Sequence, residues 1–269
     1  MKEKQIELYD MGRTTHKTIP GMYEFIMQNA DRFVSDSRLA EELRQQAANR
    51  EKPGYSIPQE HFSEMCKIWA DAFNRGEFPL NVPQLVFPDT PKRFMAVKGA
   101  GRKIGILTSG SAEFTKILFN CSFRSEDSVT RKYAGTQLGK EIFHYDEDLG
   151  WTVDKKHPYF PQIDLEANFH LGYNVDEFLL GDMIGDKDHP ETFARLWETR
   201  QGDIHSVYDD KISVCEAAVA GLKQVGGSAR IYLVDRKGKY NKGELTDKVR
   251  ALQSQGVRLI QSFDEVIVE

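Results

Sequence analysis

Cysteine is scarce in this chain: Cys66, Cys121 and Cys215 are the only three in 269 residues, they lie far apart, and they form no Cys-x-x-Cys pair. That spacing argues against a disulfide framework and against a zinc site, and it fits a reduced, cytoplasmic setting. Long apolar runs are missing too. None approaches the ~20 residues that cross a bilayer, and Met1-Lys2-Glu3-Lys4-Gln5 leads into a short strand without the apolar core of a signal peptide. The expectation is a cytoplasmic protein with no membrane partner. Charge of one sign is not concentrated either: 36 Lys and Arg are mixed with 41 Asp and Glu, for a net charge of -5. Without a basic run there is no electrostatic case for nucleic acid as a partner.

Several common signatures are also absent. No internal repeat and no low-complexity segment is visible. Gly99-Ala100-Gly101 precedes a strand instead of following one, so it is not a dinucleotide fingerprint, and residues 135–140 lack the spacing and the Ser/Thr of a P-loop. Gly110-Ser111 is not part of a Gly-x-Ser-x-Gly elbow, and no Ser-His-Asp set accompanies it. His144, His157 and His170 have no metal-ligand spacing.

What is present is an alternation of strands and helices. Ile6-Glu7-Leu8-Tyr9 reads as a short strand ending at Asp10. Residues 21–50 read as helices, with Met22, Phe25, Ile26 and Phe33 at helical spacing, up to the break at Lys52-Pro53-Gly54. A second helical stretch carries Phe62, Met65, Cys66, Trp69 and Phe73 on one face, followed by breaks at Asn81-Val82-Pro83 and Phe87-Pro88-Asp89. A helix over 91–100 follows, with Thr90 as its N-cap and Pro91 at its first position. Lys103-Ile104-Gly105-Ile106-Leu107 is the cleanest strand; it runs through Thr108-Ser109-Gly110-Ser111 into a helix over 112–119. Residues 122–176 are polar and aromatic, with a hairpin around Phe143 and Trp151 turned at Asp148-Leu149-Gly150, and read as an insertion whose small core includes Tyr145, Tyr159 and Phe160. The alternation resumes near Phe178, with a helix after Pro190, strands over 204–208, 229–234 and 258–262, and a helix over 214–223 ended by Gly226-Gly227. Strands that end in polar residues and alternate with helices indicate a parallel α/β sheet, whose ligands bind outside the carboxyl ends of the strands.

Three of those strand ends carry Asp10, Thr108 and Asp209-Asp210. If the strands are neighbours, the carboxylates converge and repel one another unless a cation joins them. Magnesium suits such a site, because it takes oxygen ligands, keeps several waters and accepts the rest from substrate phosphate. A carboxylate beside magnesium and a phosphoryl group can act as a nucleophile and form an aspartyl-phosphate. Each residue also has a plainer role: Asp10 as a turn or capping residue, Thr108 and Ser109 as caps of the next helix, Asp209-Asp210 as a solvated pair.

The order of the set resembles the haloacid dehalogenase (HAD) superfamily. Tyr9-Asp10-Met11-Gly12-Arg13-Thr14-Thr15 is similar to its first motif, Asp-x-Asp-x-Thr, and Ile104 to Ser111 to its second. Ile184-Gly185-Asp186-Lys187 with Glu191-Thr192-Phe193 resembles the third, and Val207-Tyr208-Asp209-Asp210 the acidic fourth. Val86-Phe87-Pro88-Asp89, Lys116-Ile117-Leu118-Phe119 and Gln261-Ser262-Phe263-Asp264-Glu265 resemble the enolase-phosphatase branch in particular. The resemblance covers most of the chain outside 122–176. It implies a doubly wound parallel sheet (HAD-like, Rossmannoid), with a core over 1–15, 89–121 and 177–269, a helical cap over 16–88 and a second small insertion or cap over 122–176. It further implies Asp10 as nucleophile and magnesium ligand, the Gly12 carbonyl as a second ligand, Thr108, Ser109, Gly110 and Lys187 holding the phosphoryl group, and Asp209 and Asp210 on the metal. The expected activity is a magnesium-dependent phosphohydrolase for a small phosphorylated substrate.

One position departs from the pattern. Superfamily phosphatases carry an acid two residues after the nucleophile, and enolase-phosphatases usually have Glu there; this chain has Gly12, then Arg13 where Gly is usual. General acid–base help is worth ~100- to 10,000-fold in rate. Three readings follow: a phosphatase whose acid comes from elsewhere, with His16 the nearest candidate; a phosphonatase-like C–P bond hydrolase using a cap lysine such as Lys52 or Lys67 as a Schiff base; or a non-catalytic protein that binds magnesium and phosphate.

Overall fold

The computed structural model describes residues 5–19, 21–50, 52, 55, 57–78, 85–112, 114–115, 118, 143–146, 150–153, 175–180, 184–241 and 245–268. Their elements run β1 (Ile6–Tyr9), α1 (Met22–Phe33), α2 (Ser37–Asn49), α3 (Gln59–Asn74), α4 (Asp89–Gly99), β2 (Lys103–Thr108), β3 (Phe143–Asp146), β4 (Gly150–Val153) and β5 (Glu177–Leu180). The chain continues through α5 (Pro190–Thr199), β6 (Ile204–Asp209), α6 (Ile212–Gln224), β7 (Arg230–Val234), α7 (Leu245–Ser254) and β8 (Arg258–Ile260).

Six strands pair in parallel in the order β5-β2-β1-β6-β7-β8. The chain steps outward from β1 on one side, then returns and steps outward on the other. Strand order therefore reverses at β1, the doubly wound arrangement in which a crevice opens beside the carboxyl end of that strand. β1 is buried along its whole length and β2 nearly so, as a sheet covered on both faces requires. Alternate residues point to opposite faces. Leu8, Leu107, Val207 and Leu233 pack with Phe193 of α5 and Val214 of α6. Tyr9, Ile106, Tyr208 and Tyr232 pack on the other face with Phe94 of α4, Trp69 of α3 and Phe263. Tyr9, Tyr208 and Tyr232 are in register on three adjacent strands, and their rings stack at 4.4 and 4.6 Å. On the opposite face α5 and α6 meet at Gly221, where a Cβ would stand 2.1 Å from the Pro190 carbonyl oxygen; only glycine allows that approach.

β1 also buries a carboxylate. Glu7 is fully buried and accepts hydrogen bonds from the Tyr9 hydroxyl (2.5 Å), Arg93 (2.8 Å) and Arg102 (2.9 Å). Arg93 also donates to the Tyr9 hydroxyl (3.0 Å), the Tyr208 hydroxyl (2.6 Å) and the Val266 carbonyl (2.9 Å). Burial pushes the Glu7 carboxyl upward, but Arg93, the Tyr9 hydrogen bond and Arg102 outweigh it and hold the group below its ordinary value.

The helices expected over 21–50 are two, α1 and α2. The backbone is extended at Val34, and the Asp36 carboxylate caps α2 by accepting from Arg38 N and Leu39 N. α3 is tied to α1 by the Trp69 indole, which donates to the Met22 carbonyl at 2.7 Å and meets Tyr23 edge-on at 5.5 Å. α4 corrects the expected start. It opens at Asp89, and Thr90 is not a cap but a buried first-turn residue whose hydroxyl donates to the Thr15 carbonyl at 3.3 Å. Asp89 itself is used in tertiary contacts. Its Oδ2 accepts from Arg236, the Ser262 hydroxyl and Phe263 N, and the Arg236 guanidinium lies between the Phe87 and Phe263 rings. Segments 173 residues apart in the chain are joined there.

The expected hairpin is present: β3 and β4 pair antiparallel, with Tyr145 opposite Trp151 and Gly150 inside the strand. Cys121, His157, Tyr159, Phe160 and His170 lie outside the described residues, as do Lys116, Ile117, Phe119, Asp148 and Leu149, residues 53–54, 81–83 and 135–140. No helix among the described residues is long and apolar enough to cross a membrane.

Candidate active site

The carboxyl ends of β1, β2 and β6 lie side by side because β1 is flanked by the other two. Asp10 follows β1, Thr108 ends β2, and Asp209 ends β6 with Asp210 next. All four are buried. Asp10 N donates to the Tyr208 carbonyl at 2.8 Å, which fixes the nucleophile candidate against β6. Beyond it the chain turns back: Thr15 N and His16 N both donate to the Met11 carbonyl, at 3.1 and 2.8 Å. The turn is held from outside by Thr90, through the Thr15 carbonyl, and by Arg236, which donates to the Thr14 carbonyl at 2.8 Å.

Asp10, Asp209 and Asp210 each offer a carboxylate oxygen, all within 4.8 Å of one another. Lys187, from the loop before α5, reaches into this group and donates to Asp10 Oδ1 and, at 2.8 Å, to Asp209 Oδ2. Burial alone pushes the lysine downward, but the two carboxylates outweigh it and raise it well above its ordinary value, so it stays protonated. Burial, together with Asp209 and Asp210, raises the Asp10 carboxyl to about 7 against the opposing pull of Lys187. Burial, then Asp209, raises the Asp210 carboxyl as well.

Asp210 supplies the test of whether a cation fits. Its Oδ2 is buried with no hydrogen-bond partner among the described residues, and it meets cations only as loose ion pairs, Lys239 at 3.5 Å and Arg13 at 3.7 Å. Three carboxylates with one orphaned oxygen are a hard, oxygen-only donor set. Their oxygens lie within 4.8 Å of one another, near enough to share one octahedral magnesium, whose opposite ligands stand ~4.2 Å apart. The residues fit that ion.

A cavity of about 230 Å³ opens over the group, lined by Asp10, Gly12, Thr108, Ser109, Lys187 and Asp210. Asp209 lies beneath them, its Oδ1 accepting from Lys211 N at 2.9 Å. Gly110 is not on the lining. It is buried behind Thr108, and its N–H donates to Thr108 Oγ1 at 3.0 Å. Thr108 therefore has a filled lone pair and a hydroxyl hydrogen left for an incoming oxygen. Tyr23, Arg50, Tyr55, Ile57 and Phe62, from α1 to α3 and their connections, complete the far wall; sequence reasoning missed them because none belongs to a motif.

His16, the nearest candidate for an acid, lines the cavity too. It is buried, its Nδ1 lies 3.1 Å from Thr15 Oγ1, and burial lowers its pKa to about 3, so the ring is neutral near pH 7. Gly12 bridges to His16 through the backbone, and a Cβ at Gly12 would meet nothing within 4 Å. The position where an acid is expected is open space. A Schiff base of the phosphonatase kind would need a buried lysine of the cap region facing Asp10. Lys52 and Lys67 are exposed, Lys67 pairs with Glu64 at 2.9 Å, and neither lines the cavity.

No known family model matches the chain, and no curated protein matches it. Similar solved structures include the UTR4 protein of Saccharomyces cerevisiae, at 14% identity and TM-score 0.48 over 98% of this chain and 100% of that one. A HAD phosphatase from Thermococcus onnurineus aligns at 17% identity and TM-score 0.47 over 97% and 95%. CbbY from Rhodobacter sphaeroides in complex with phosphate aligns at 14% and 0.46 over 97% and 96%. The class that the sheet order of this chain defines is the doubly wound parallel α/β fold, with its candidate site at the carboxyl ends of the strands.

Proposed function

We propose that this chain is a magnesium-dependent phosphohydrolase that acts on a small phosphorylated molecule through an aspartyl-phosphate on Asp10. The observation that carries this reading is the convergence of Asp10, Asp209, Asp210 and Lys187 where strand order reverses, at the base of a cavity of ligand size.

In this reading an Asp10 carboxylate oxygen attacks phosphorus, the ester P–O bond breaks as the new bond forms, and the leaving oxygen takes its electron pair. Water then attacks phosphorus, releasing phosphate and restoring the carboxylate. Lys187 neutralises charge on Asp10 and the phosphoryl oxygens, and the Thr108 hydroxyl, oriented by Gly110 N, donates to one of them, with Ser109 beside it. Magnesium would be held by Asp10, the Gly12 carbonyl and Asp209, with Asp210 through water. Bound there, it supplies positive charge that eases the approach of a carboxylate to a phosphoryl dianion. Residues 16–88 act as a helical cap, a role supported by the cavity wall they provide, and 122–176 as a second insertion. The enolase-phosphatase likeness rests on sequence motifs alone.

A second reading, binding of magnesium and phosphate without turnover, is favoured by one observation: Gly12 leaves no acid beside Asp10. Hydrolysis of an aryl phosphate and a panel of sugar and nucleotide phosphates, with and without magnesium, separates the two. The expected result is magnesium-dependent turnover that falls about 1,000-fold or more in Asp10→Asn. Magnesium binding with no turnover on any substrate would favour the second reading.

A further inference from the structure

We propose that the ligand of this cavity carries two anionic groups, the phosphoryl group at Asp10 and a second anion seated on Arg13, Lys17 and Lys211. The proposal rests on the phosphohydrolase reading for the first anion and on different residues for the second.

The cavity is lined by five cationic side chains, Arg13, Lys17, Arg50, Lys187 and Lys211, against two carboxylates, Asp10 and Asp210. Three of the five have local partners. Lys187 serves Asp10 and Asp209, Arg50 pairs with Glu24 at 2.8 Å, and Arg13 shares Asp210 loosely with Lys239, at 3.7 and 3.5 Å. Lys17 and Lys211 face no carboxylate within ion-pairing distance among the described residues. A phosphoryl dianion, with about two negative charges, entering together with one divalent cation leaves this surplus unchanged. A second anion on the ligand is what would compensate it. The rest of the wall, including Ile19, Tyr23, Phe62 and Leu118, offers apolar contact to a carbon skeleton.

Arg13 adds an independent observation. It is one of two residues other than glycine with positive φ among those described, at 63°. That left-handed backbone costs a residue with a side chain and costs glycine nothing. Its side chain is more than half exposed and donates to Thr18 Oγ1 at a long 3.4 Å. The turn, closed by Arg13 N donating to the His16 carbonyl at 2.6 Å, holds this cation at the cavity.

The test compares phenylphosphonate with 4-carboxyphenylphosphonate, which are not esters, by calorimetric titration of the full chain at fixed ionic strength, with and without magnesium. The carboxylated ligand is expected to bind about tenfold more tightly, with the preference shrinking as salt rises. Lys17→Glu, at an exposed position, should reduce that ratio. Arg13→Gly should reduce it while raising Tm, because glycine relieves the strained backbone; a merely structural arginine would not couple the two changes in opposite directions. Equal affinity for the two ligands in the wild type, or a preference untouched by both exchanges, overturns the proposal. The outcomes separate from those of the catalytic reading: Asp10-dependent hydrolysis without the anion preference removes only this inference, and the preference without hydrolysis removes only the phosphohydrolase.

Discussion

Gly12→Asp raises the turnover of phosphate monoesters about 100- to 10,000-fold above wild type, the usual worth of a positioned general acid. The site is ready to receive it. A Cβ at Gly12 meets nothing within 4 Å, the backbone there is one that ordinary side chains adopt, and the residue lines the same cavity as Asp10. Neither Lys187 nor His16 is suited to the role. Lys187 is held protonated by two carboxylates, and His16 is neutral because burial lowers its pKa to about 3. The gain is largest for alkyl phosphates, whose leaving oxygen most needs a proton, and smallest for aryl phosphates with acidic leaving groups. Gly12→Asn, of similar volume but with no proton to give, should not reproduce it. Steady-state kinetics of the three proteins on both ester types measures this, and no gain on any ester would mean that the acid is not what limits the wild type.

Arg93→Met destabilises the fold by about 3–5 kcal/mol, the cost of leaving a buried ion without its partner. Glu7 is wholly buried in the central strand; the variant leaves it with Arg102 and the Tyr9 hydroxyl, and removes three further hydrogen bonds, to Tyr9, Tyr208 and the Val266 carbonyl. The pH dependence follows from the direction of the Glu7 shift. Its folded value is depressed below the ordinary 4.5, so its contribution is complete above the unfolded value and is lost as pH falls through the folded one. Urea unfolding across that acid range should show a stability decline in the wild type that Glu7→Gln flattens at a lower plateau. The double change Glu7→Met with Arg93→Met recovers part of the loss, because the fully buried carboxylate is then gone and only the less buried Arg102 gives up a partner. Equal stability of Arg93→Met and wild type would contradict this account of the core.

Much of the sheet was legible because an apolar run followed by a polar strand end is a local signal. Asp10, Thr108 and Asp209 all stand where such runs stop. The convergence of those ends needed strand order, which the sequence supplied only through resemblance. Lys187 could be placed in no other way, since a lysine in a loop has no local mark of burial. Glu7 was invisible as a buried ion because Arg93 and Arg102 lie 86 and 95 residues away in the chain. Thr90 misled for a related reason: the Thr-Pro pair is a sound start signal, but Asp89 is engaged by Arg236, Ser262 and Phe263, and the helix begins one residue before Thr90. The two-helix division of 21–50 was readable in Asp36, a capping residue within the run. The cations of the cavity were not, because Lys17, Arg50 and Lys211 come from three separated segments and match no motif.

The central claim is that phosphoryl groups pass through Asp10, and rapid-quench trapping tests it most directly. The full chain is mixed with magnesium and a 32P-labelled aryl phosphate, quenched within one turnover, and digested. The account predicts acid-stable, base-labile label on the peptide containing Asp10, absent from Asp10→Asn. Release of labelled phosphate by the wild type with no label on that peptide at any quench time, and undiminished release by Asp10→Asn, would contradict it.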